Sequence, residues 1–382
     1  MSNSYKCPIC GNTDERFIGY RNGSPYCRKC IGFSGFHVHD SRIRSKFVSL
    51  SLSYMLSKEQ ERISQEVLEN IKNHKNVLIY AVTGAGKTEL VYKTMEYVIQ
   101  HGGNVGFAIP RRDVVIDLTP RIKNAFKDAN VIAVYGGNSK RLEGDIIVLT
   151  THQLYRYEKF FDLLIVDEID AFPFKDNDLL NTFLKKSIKG NFIYLSATPT
   201  EKDKKDIIKN NGVVLELFKR YHNHPLPVPK YIKPEISAYF TCAKLLKNFV
   251  NSHKQVFLFV PTINIGISLF RFLKYQIKGG VLVHSEEPKR DEYIKQFKEK
   301  KLNYLVTTSI LERGVTVENL QVIVFNADHK LYTKETLIQI AGRVGRKTTA
   351  PEGEVIFIGE YQSENIKECI REISAINKKA YL

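Results

Sequence analysis

Over most of the chain, short and nearly continuous apolar runs are separated by amphipathic stretches of helix length. "NVLIYAV" (76–82), "NVGFAIP" (104–110), "VIAVYGG" (131–137), "DIIVLTT" (145–151), "DLLIVDE" (162–168) and "NFIYLSA" (191–197) each read as a buried strand. Strands that are apolar on both faces belong in a parallel sheet covered by helices, not in a half-solvated antiparallel one. Ahead of them, "LSKEQERISQEVLENI" (56–71) sets Ile63, Val67, Leu68 and Ile71 at helical spacing behind Ser57, which is suited to an N-cap. A helix therefore leads into the first sheet.

The stretch "RYHNHPLPVPKYIKP" (220–234) breaks the alternation with four prolines, which cannot donate to a ladder and favour extended chain. The pattern then resumes with "QVFLFVP" (255–261), "GGVLVHS" (279–285), "LNYLVTT" (302–308) and "LQVIVFN" (320–326). The first fifty residues carry cysteine pairs and glycines but no long apolar period. The expected organisation is a small module at 1–50, an α/β domain at 51–220, a proline-rich linker at 221–234 and a second α/β domain at 235–382.

Composition narrows the class. With 382 residues, 43% of them hydrophobic, the chain has material for two ordinary cores. Lysine and arginine number 57 against 41 acids, a net charge of +16 that suits a surface tracking a polyanion and equally serves plain solubility. No run approaches the roughly 20 apolar residues of a membrane span, and "MSNSYKCPIC" lacks a signal-peptide core. The expectation is a cytoplasmic protein with reduced or metal-bound cysteines and no membrane insertion of its own.

The chemistry starts at "AVTGAGKT" (81–88), between a strand and a helix. Gly84, Ala85 and Gly86 can turn successive backbone N–H groups onto phosphate oxygens, Lys87 can meet the β and γ charges, and the Thr88 hydroxyl can reach Mg²⁺. Ala81 stands where the usual phosphate-loop pattern has glycine. The acids of "VDEID" then admit two readings, a solvated strand exit or a catalytic site. Beside a phosphate loop, Asp167 suits completion of the Mg²⁺ site and Glu168 the orienting and deprotonation of water, with Asp170 coupling that site to another loop. Ser196 and Thr198 in "YLSATPT" (194–200) are short hydroxyls at a strand end, suited to relaying loss of the γ-phosphate. In "QIAGRVGRK" (339–347), Gln339, Arg343 and Arg346 lie within two helical turns, so that both arginines can act on the transferring phosphoryl group; a surface contact to nucleic acid is the other reading.

Cys7, Cys10, Cys27 and Cys30 make two C-x₂-C pairs separated by 16 residues, the spacing of a closed structural Zn²⁺ site. Arg28 and Lys29 inside the second pair offer a contact to DNA or a partner protein, and His37 and His39 come too late to be needed as ligands. Cys242 and Cys369 stand alone in helical segments as buried thiols.

"AVTGAGKT", "DEID", "SAT", "TTSILERGVTV" and "QIAGRVGR", in this order, resemble the motifs of superfamily 2 helicases across residues 56–350. The resemblance implies two RecA-like domains that bind ATP and a nucleic-acid strand. It makes Gln60 the adenine-reading residue and brings Gly314 and Thr316 near the nucleotide. It further implies that Arg112, Gly136, Gly137, Thr151, Thr262, Ser285 and Thr308 touch the strand. "DEIDAFPF" and the histidine-proline stretch, together with the zinc module, resemble the late-competence ComFA family more narrowly. That likeness implies an ATP-dependent single-stranded DNA translocase, with DNA-stimulated hydrolysis driving uptake of transforming DNA. The implied partners are single-stranded DNA, a membrane DNA-uptake channel and other competence proteins, with the chain cytoplasmic or peripheral at the inner face of the membrane and homo-oligomer formation left open. The competing readings are a replication-restart helicase of the PriA type, which is longer and carries further DNA-binding domains, and a zinc-containing nucleic-acid-binding module that uses ATP only as a conformational ligand. Two ATPase domains and the metal module fill the length, leaving no sizeable wedge domain, so poor duplex unwinding is expected. Phe172, Pro173 and Phe174 read as a rigid apolar corner that fixes the acidic loop.

Overall fold

The computed structural model describes residues 5–33, 35, 37–38, 47–169, 177–308 and 317–381. Two compact units are present, Met1–Ala81 with Lys87–Leu217, and Val82–Gly86 with Phe218–Leu382.

The first unit opens with an antiparallel hairpin of β1 (Ile18–Arg21) and β2 (Ser24–Cys27). Asn22 and Gly23, at φ 49° and 78°, supply the two positive dihedrals that a two-residue hairpin turn requires. Helix α1 (Lys58–Lys72) begins at the expected cap: the Ser57 side chain accepts from the Gln60 N–H, and Gln60 Oε1 accepts from the Ser57 N–H. Its buried face is Ile63, Val67 and Ile71, three of the four residues on the expected stripe.

Seven parallel strands follow: β3 (Asn76–Ala81), β4 (Val105–Ile109), β5 (Val131–Val134), β6 (Ile146–Thr150), β7 (Phe161–Asp167), β8 (Ile188–Ser196) and β9 (Gly212–Leu217). They lie in the order β5-β6-β4-β7-β8-β3-β9. Helices α2 (Tyr92–Gln100), α3 (Arg112–Ala125), α4 (Asp178–Ser187) and α5 (Glu201–Lys209) connect them. Every residue of β4 and β6 is buried, the outcome that their unbroken apolar runs predict for a sheet covered on both faces.

The cysteine segment packs into this same unit. Cys7, Cys10, Cys27 and Cys30 share one apolar cluster with Leu154, Tyr155 and Phe183, and the Phe33 ring meets Phe183 edge-on at 5.0 Å. Lys186 of α4 donates to the carbonyls of Pro8 (2.6 Å) and Ile9 (3.0 Å), and the Val38 N–H donates to the Arg156 carbonyl at 2.9 Å.

The sheet of the second unit is likewise all parallel: β10 (Lys230–Ile232), β11 (Gln255–Phe259), β12 (Gly280–Val283), β13 (Tyr304–Thr307), β14 (Leu320–Val324) and β15 (Val355–Ile358), in the order β10-β15-β14-β11-β13-β12. Its helices are α6 (Ala238–Asn251), α7 (Ile263–Leu273), α8 (Arg290–Lys298), α9 (Lys334–Ala341) and α10 (Glu364–Tyr381). Residues 221–234, expected as a linker, contain β10, which pairs with β15 and so extends this sheet. Cys242 and Cys369 are fully buried here, and burial pushes both thiols well above their ordinary range. These are two RecA-like domains, each a parallel sheet flanked by helices.

Candidate active site and nucleic-acid edges

Strand β3 leaves the first sheet at Ala81, and the chain turns through Gly84 and Gly86 at φ 83° and 78°. Both values lie where an L side chain is strained, so glycine is the residue the loop demands. The Ala85 N–H returns to the Val82 carbonyl at 3.2 Å, and the half-buried Lys87 and Thr88 lead into the helical turn Glu89–Val91 and then α2. A glycine loop that ends in a helix N-terminus directs N–H groups at an anion. Residues 84–88 thus have the geometry of an anion-binding loop.

The sheet order sets the acids one strand away from the strand that carries this loop. Strand β8 lies between β3 and β7, with Tyr80 opposite Ser196 and Asp167 opposite Leu195, so three C-terminal ends line up. Asp167 closes β7, and Glu168 follows at φ 58°, its N–H donating to the Leu195 carbonyl at 2.9 Å. Glu168 is one of ten described non-glycine residues with a positive φ, a conformation of modest steric cost that turns the chain sharply out of β7. Ser196 and Thr198 are buried, and the Thr198 N–H donates to Ser196 Oγ at 3.0 Å. Asp170, Phe172, Pro173, Phe174, Gly314, Thr316 and His39 lie outside the described residues. Gln60 is 5% exposed, and its amide oxygen is committed to the α1 cap.

Sequence reasoning missed a small network next to Thr88. Glu89, 9% exposed, accepts from Arg121 at 2.7 Å and from the Tyr54 hydroxyl at 3.3 Å. Burial and then the Glu89 charge push the Tyr54 hydroxyl up to about 12. The only signal was an acid directly behind the phosphate loop.

Candidate strand-binding residues occupy the other half of the first sheet. Arg112 follows β4, Gly136 and Gly137 follow β5, and Thr151 follows β6; β5-β6-β4 are adjacent, with Ile109 opposite Thr150 and Val134 opposite Leu149. The exposed Arg112 guanidinium lies over the Tyr135 ring, 5.1 Å from its centroid, beside the exposed turn of Gly136 and Gly137. Thr151 is fully buried, and its hydroxyl has no hydrogen-bond partner among the described residues. The second unit repeats the plan. Thr262, Ser285 and Thr308 follow the ends of β11, β12 and β13, which are adjacent in the order β11-β13-β12 with Phe259 and Val283 both opposite Thr307. Thr262 caps α7, accepting from the Ile265 N–H at 3.3 Å.

Gln339 lies on α9 at 6% exposure, but the helix stops at Ala341 with Gly342 as its C-cap. Arg343 and Arg346 therefore stand in a tight turn beyond the helix, and not on its surface as their spacing suggested. Gly345, at φ 63°, breaks the helical path, and a Cβ there would lie 2.1 Å from the Pro351 carbonyl oxygen. Arg343 is 3% exposed, and Arg346 Nε donates back to the Gly342 carbonyl at 2.8 Å.

The four N-terminal sulfurs lie within 4.8 Å of one another, with Cys7 and Cys30 at 3.5 Å and Cys10 and Cys27 at 3.7 Å. Tetrahedral Zn–S bonds of about 2.3 Å set sulfurs roughly 3.8 Å apart, so the cluster fits the ion. All four cysteines are buried, and Gly11, at φ 71°, donates to the Cys7 carbonyl at 2.8 Å to close the first knuckle. Burial opposes ionisation of Cys7, yet backbone donors at Cys10 and Ile9 and the Cys30 thiol bring it below the ordinary thiol range.

Known families match both domains. Residues 53–201 match the family described as "Type III restriction enzyme, res subunit", and residues 241–348 match "Helicase conserved C-terminal domain". Among solved structures, S. cerevisiae Dbp5 bound to RNA and ADP BeF3 is similar at TM-score 0.66 and 18% identity, over 84% of this chain and 87% of that one. RecG bound to a three-way DNA junction is similar at TM-score 0.61 and 18% identity, over 86% of this chain and 47% of that one. The helicase domains and helicase relatives make the chain an ATP-hydrolysing enzyme, and those domains imply ATP and Mg²⁺. "Competence protein ComFA" of Bacillus subtilis (strain 168) is 33% identical over 98% of this chain and 86% of its own length. The protein of that name from Streptococcus pneumoniae (strain ATCC BAA-255 / R6) is 35% identical over 98% and 91%. With that identity sustained along almost its whole length, the chain belongs to the ComFA family of competence proteins.

Proposed function

We propose that this protein is an ATP-driven single-stranded DNA translocase that draws transforming DNA into the cytoplasm. The observation that carries the reading is the division of the first sheet's C-terminal edge. Strands β7, β8 and β3 present Asp167, Ser196 and the phosphate loop, while β4, β5 and β6 present Arg112, the Gly136–Gly137 turn and the turn at Thr151. One rigid sheet that carries both sets of loops can turn a change at the nucleotide into a displacement at the strand.

In the proposed reaction the loop N–H groups and Lys87 hold the β- and γ-phosphates. Mg²⁺, when bound by Thr88 and Asp167, offsets phosphate charge. Glu168 takes a proton from the attacking water as the new P–O bond forms and the bond to the bridging oxygen breaks, giving ADP and phosphate. Arg343 and Arg346 stabilise the charge on the transferring group, and Ser196 and Thr198 carry its loss onward. Family membership supports the competence setting, with a membrane channel and other uptake proteins as partners. No helix among the described residues is long and apolar enough to cross a membrane. Zn²⁺ at the four cysteines is structural.

The deciding measurement compares ATP turnover with single-stranded DNA, duplex DNA and RNA at equal nucleotide concentration and low salt. Stimulation is expected to be greatest with single-stranded DNA. Equal rates with and without it would overturn the reading, and greater stimulation by RNA would reassign the substrate.

A further inference from the structure

Three consecutive side chains at the start of the second unit each donate to one carbonyl of the arginine turn. Arg220 Nη2 donates to Val344 O at 2.9 Å, Tyr221 O–H to Arg346 O at 2.7 Å and His222 Nε2–H to Gly345 O at 2.9 Å. The turn follows the end of α9, where carbonyls run out of helical partners. Arg346 Nε closes the same turn from within through Gly342. Its backbone is therefore held from two directions, by residues more than a hundred positions apart in sequence.

The donors are themselves fixed. His222 Nδ1 accepts from the His224 N–H at 3.2 Å, so Nε2 bears the proton and the ring is neutral. Tyr381 O–H donates to the His224 carbonyl at 2.8 Å. Arg220 is 2% exposed, and among the described residues its Nε has no hydrogen-bond partner and no carboxylate pairs with it. Burial and then the neighbouring Arg346 charge bring Arg220 down to about 10, which leaves it charged. Linker packing alone does not account for a buried cation with no acid partner among the described residues, set beside a second guanidinium.

We propose that Arg220, Tyr221 and His222 are positioning residues for hydrolysis, clamping the backbone at 344–346 so that Arg343 and Arg346 meet the phosphoryl group in one orientation. The proposal rests on the role given to those two arginines above. It also makes turnover sensitive to acid. Protonation of His222 removes the acceptor for the His224 N–H and adds charge near Arg220, Arg346 and His224, with Tyr221 and Tyr381 close by and Glu352 3.8 Å from His224 as the nearby acid. Burial, followed by the Arg220 charge, lowers the His222 pKa from its ordinary 6.5. The clamp is thus complete above that value and fails as pH falls through the lowered one.

The test measures DNA-stimulated kcat, KM for ATP and melting temperature for Tyr221→Phe, His222→Ala, His222→Gln, Arg343→Ala and Arg346→Ala in the full chain. Tyr221→Phe and His222→Ala are expected to lower kcat roughly tenfold with KM changed less than about twofold, and His222→Gln, a neutral donor, to recover most of the loss. The wild-type to His222→Gln ratio of kcat should stay constant above about pH 6.5 and fall only as the pH is taken below it. If both arginine variants keep full turnover, the arginine reading fails and the clamp with it. If they lose turnover while Tyr221→Phe and His222→Ala keep wild-type kcat, that reading stands and the clamp is overturned.

Discussion

Glu168, at the sharp turn that ends β7, is the acid proposed to activate water. Exchange of its carboxylate for an amide keeps the shape and removes the proton acceptor. Glu168→Gln should bind ATP and single-stranded DNA normally and turn over at least about a hundredfold more slowly, as read by single-turnover hydrolysis. Unchanged turnover would take Glu168 out of the mechanism. Arg112 offers a second test at this scale, because its guanidinium is exposed over the Tyr135 ring at the turn of Gly136 and Gly137. Arg112→Ala should weaken DNA binding regardless of base sequence and reduce the slope of log K against log salt by about 0.7, the value for one phosphate contact on a single strand. An unaltered slope would place Arg112 off the strand's path.

At the scale of elements, the cysteine segment is a buttress of the first unit. Its knuckles are tied to α4 through Lys186, and Phe33 packs between Phe183 and Tyr155. Phe183 is 1% exposed, and Phe183→Ala should cost about 3–5 kcal/mol of the first unit's stability. The same variant should release Zn²⁺ to a chromogenic chelator faster than wild type does; an unchanged release rate would show that the metal module does not depend on this contact. The strands carrying the phosphate loop and the acids were legible because their apolar runs are unbroken, as in "DLLIVDE". Strand β9 was not, since it is an edge strand whose residues are mostly half-exposed, and β10 is three residues long and preceded by prolines. The arginine turn was misread as helix although Gly342 and Gly345 were in view. Spacing alone does not reveal that the second glycine adopts a positive φ. The clamp of Arg220, Tyr221 and His222 had no sequence signal, because the carbonyls it holds are set by chain 120 residues away.

For the whole molecule, the net charge of +16 is spread more widely than the candidate DNA edges, where Arg112 is the cation among glycines, serines and threonines. Non-specific attraction should therefore be strongly salt-dependent, while the proposed strand contacts other than Arg112 are uncharged. Single-stranded DNA titrations of ATPase activity at several salt concentrations should show the half-saturating DNA concentration rising steeply and the saturated rate falling little; a collapse of the saturated rate would mean that salt acts on the site itself. The strand order of the first unit also governs its assembly during synthesis. Strand β3 bears the phosphate loop and is made first, yet its neighbours β8 and β9 are the last two strands of that sheet to leave the ribosome. A nascent chain shorter than about residue 200 can pair β4, β5, β6 and β7 with one another but has no completed partner for β3. The strand bearing the proposed ATP loop thus gains its neighbours only at the end of that domain's translation, and a chain terminated earlier leaves that loop on an unpaired strand.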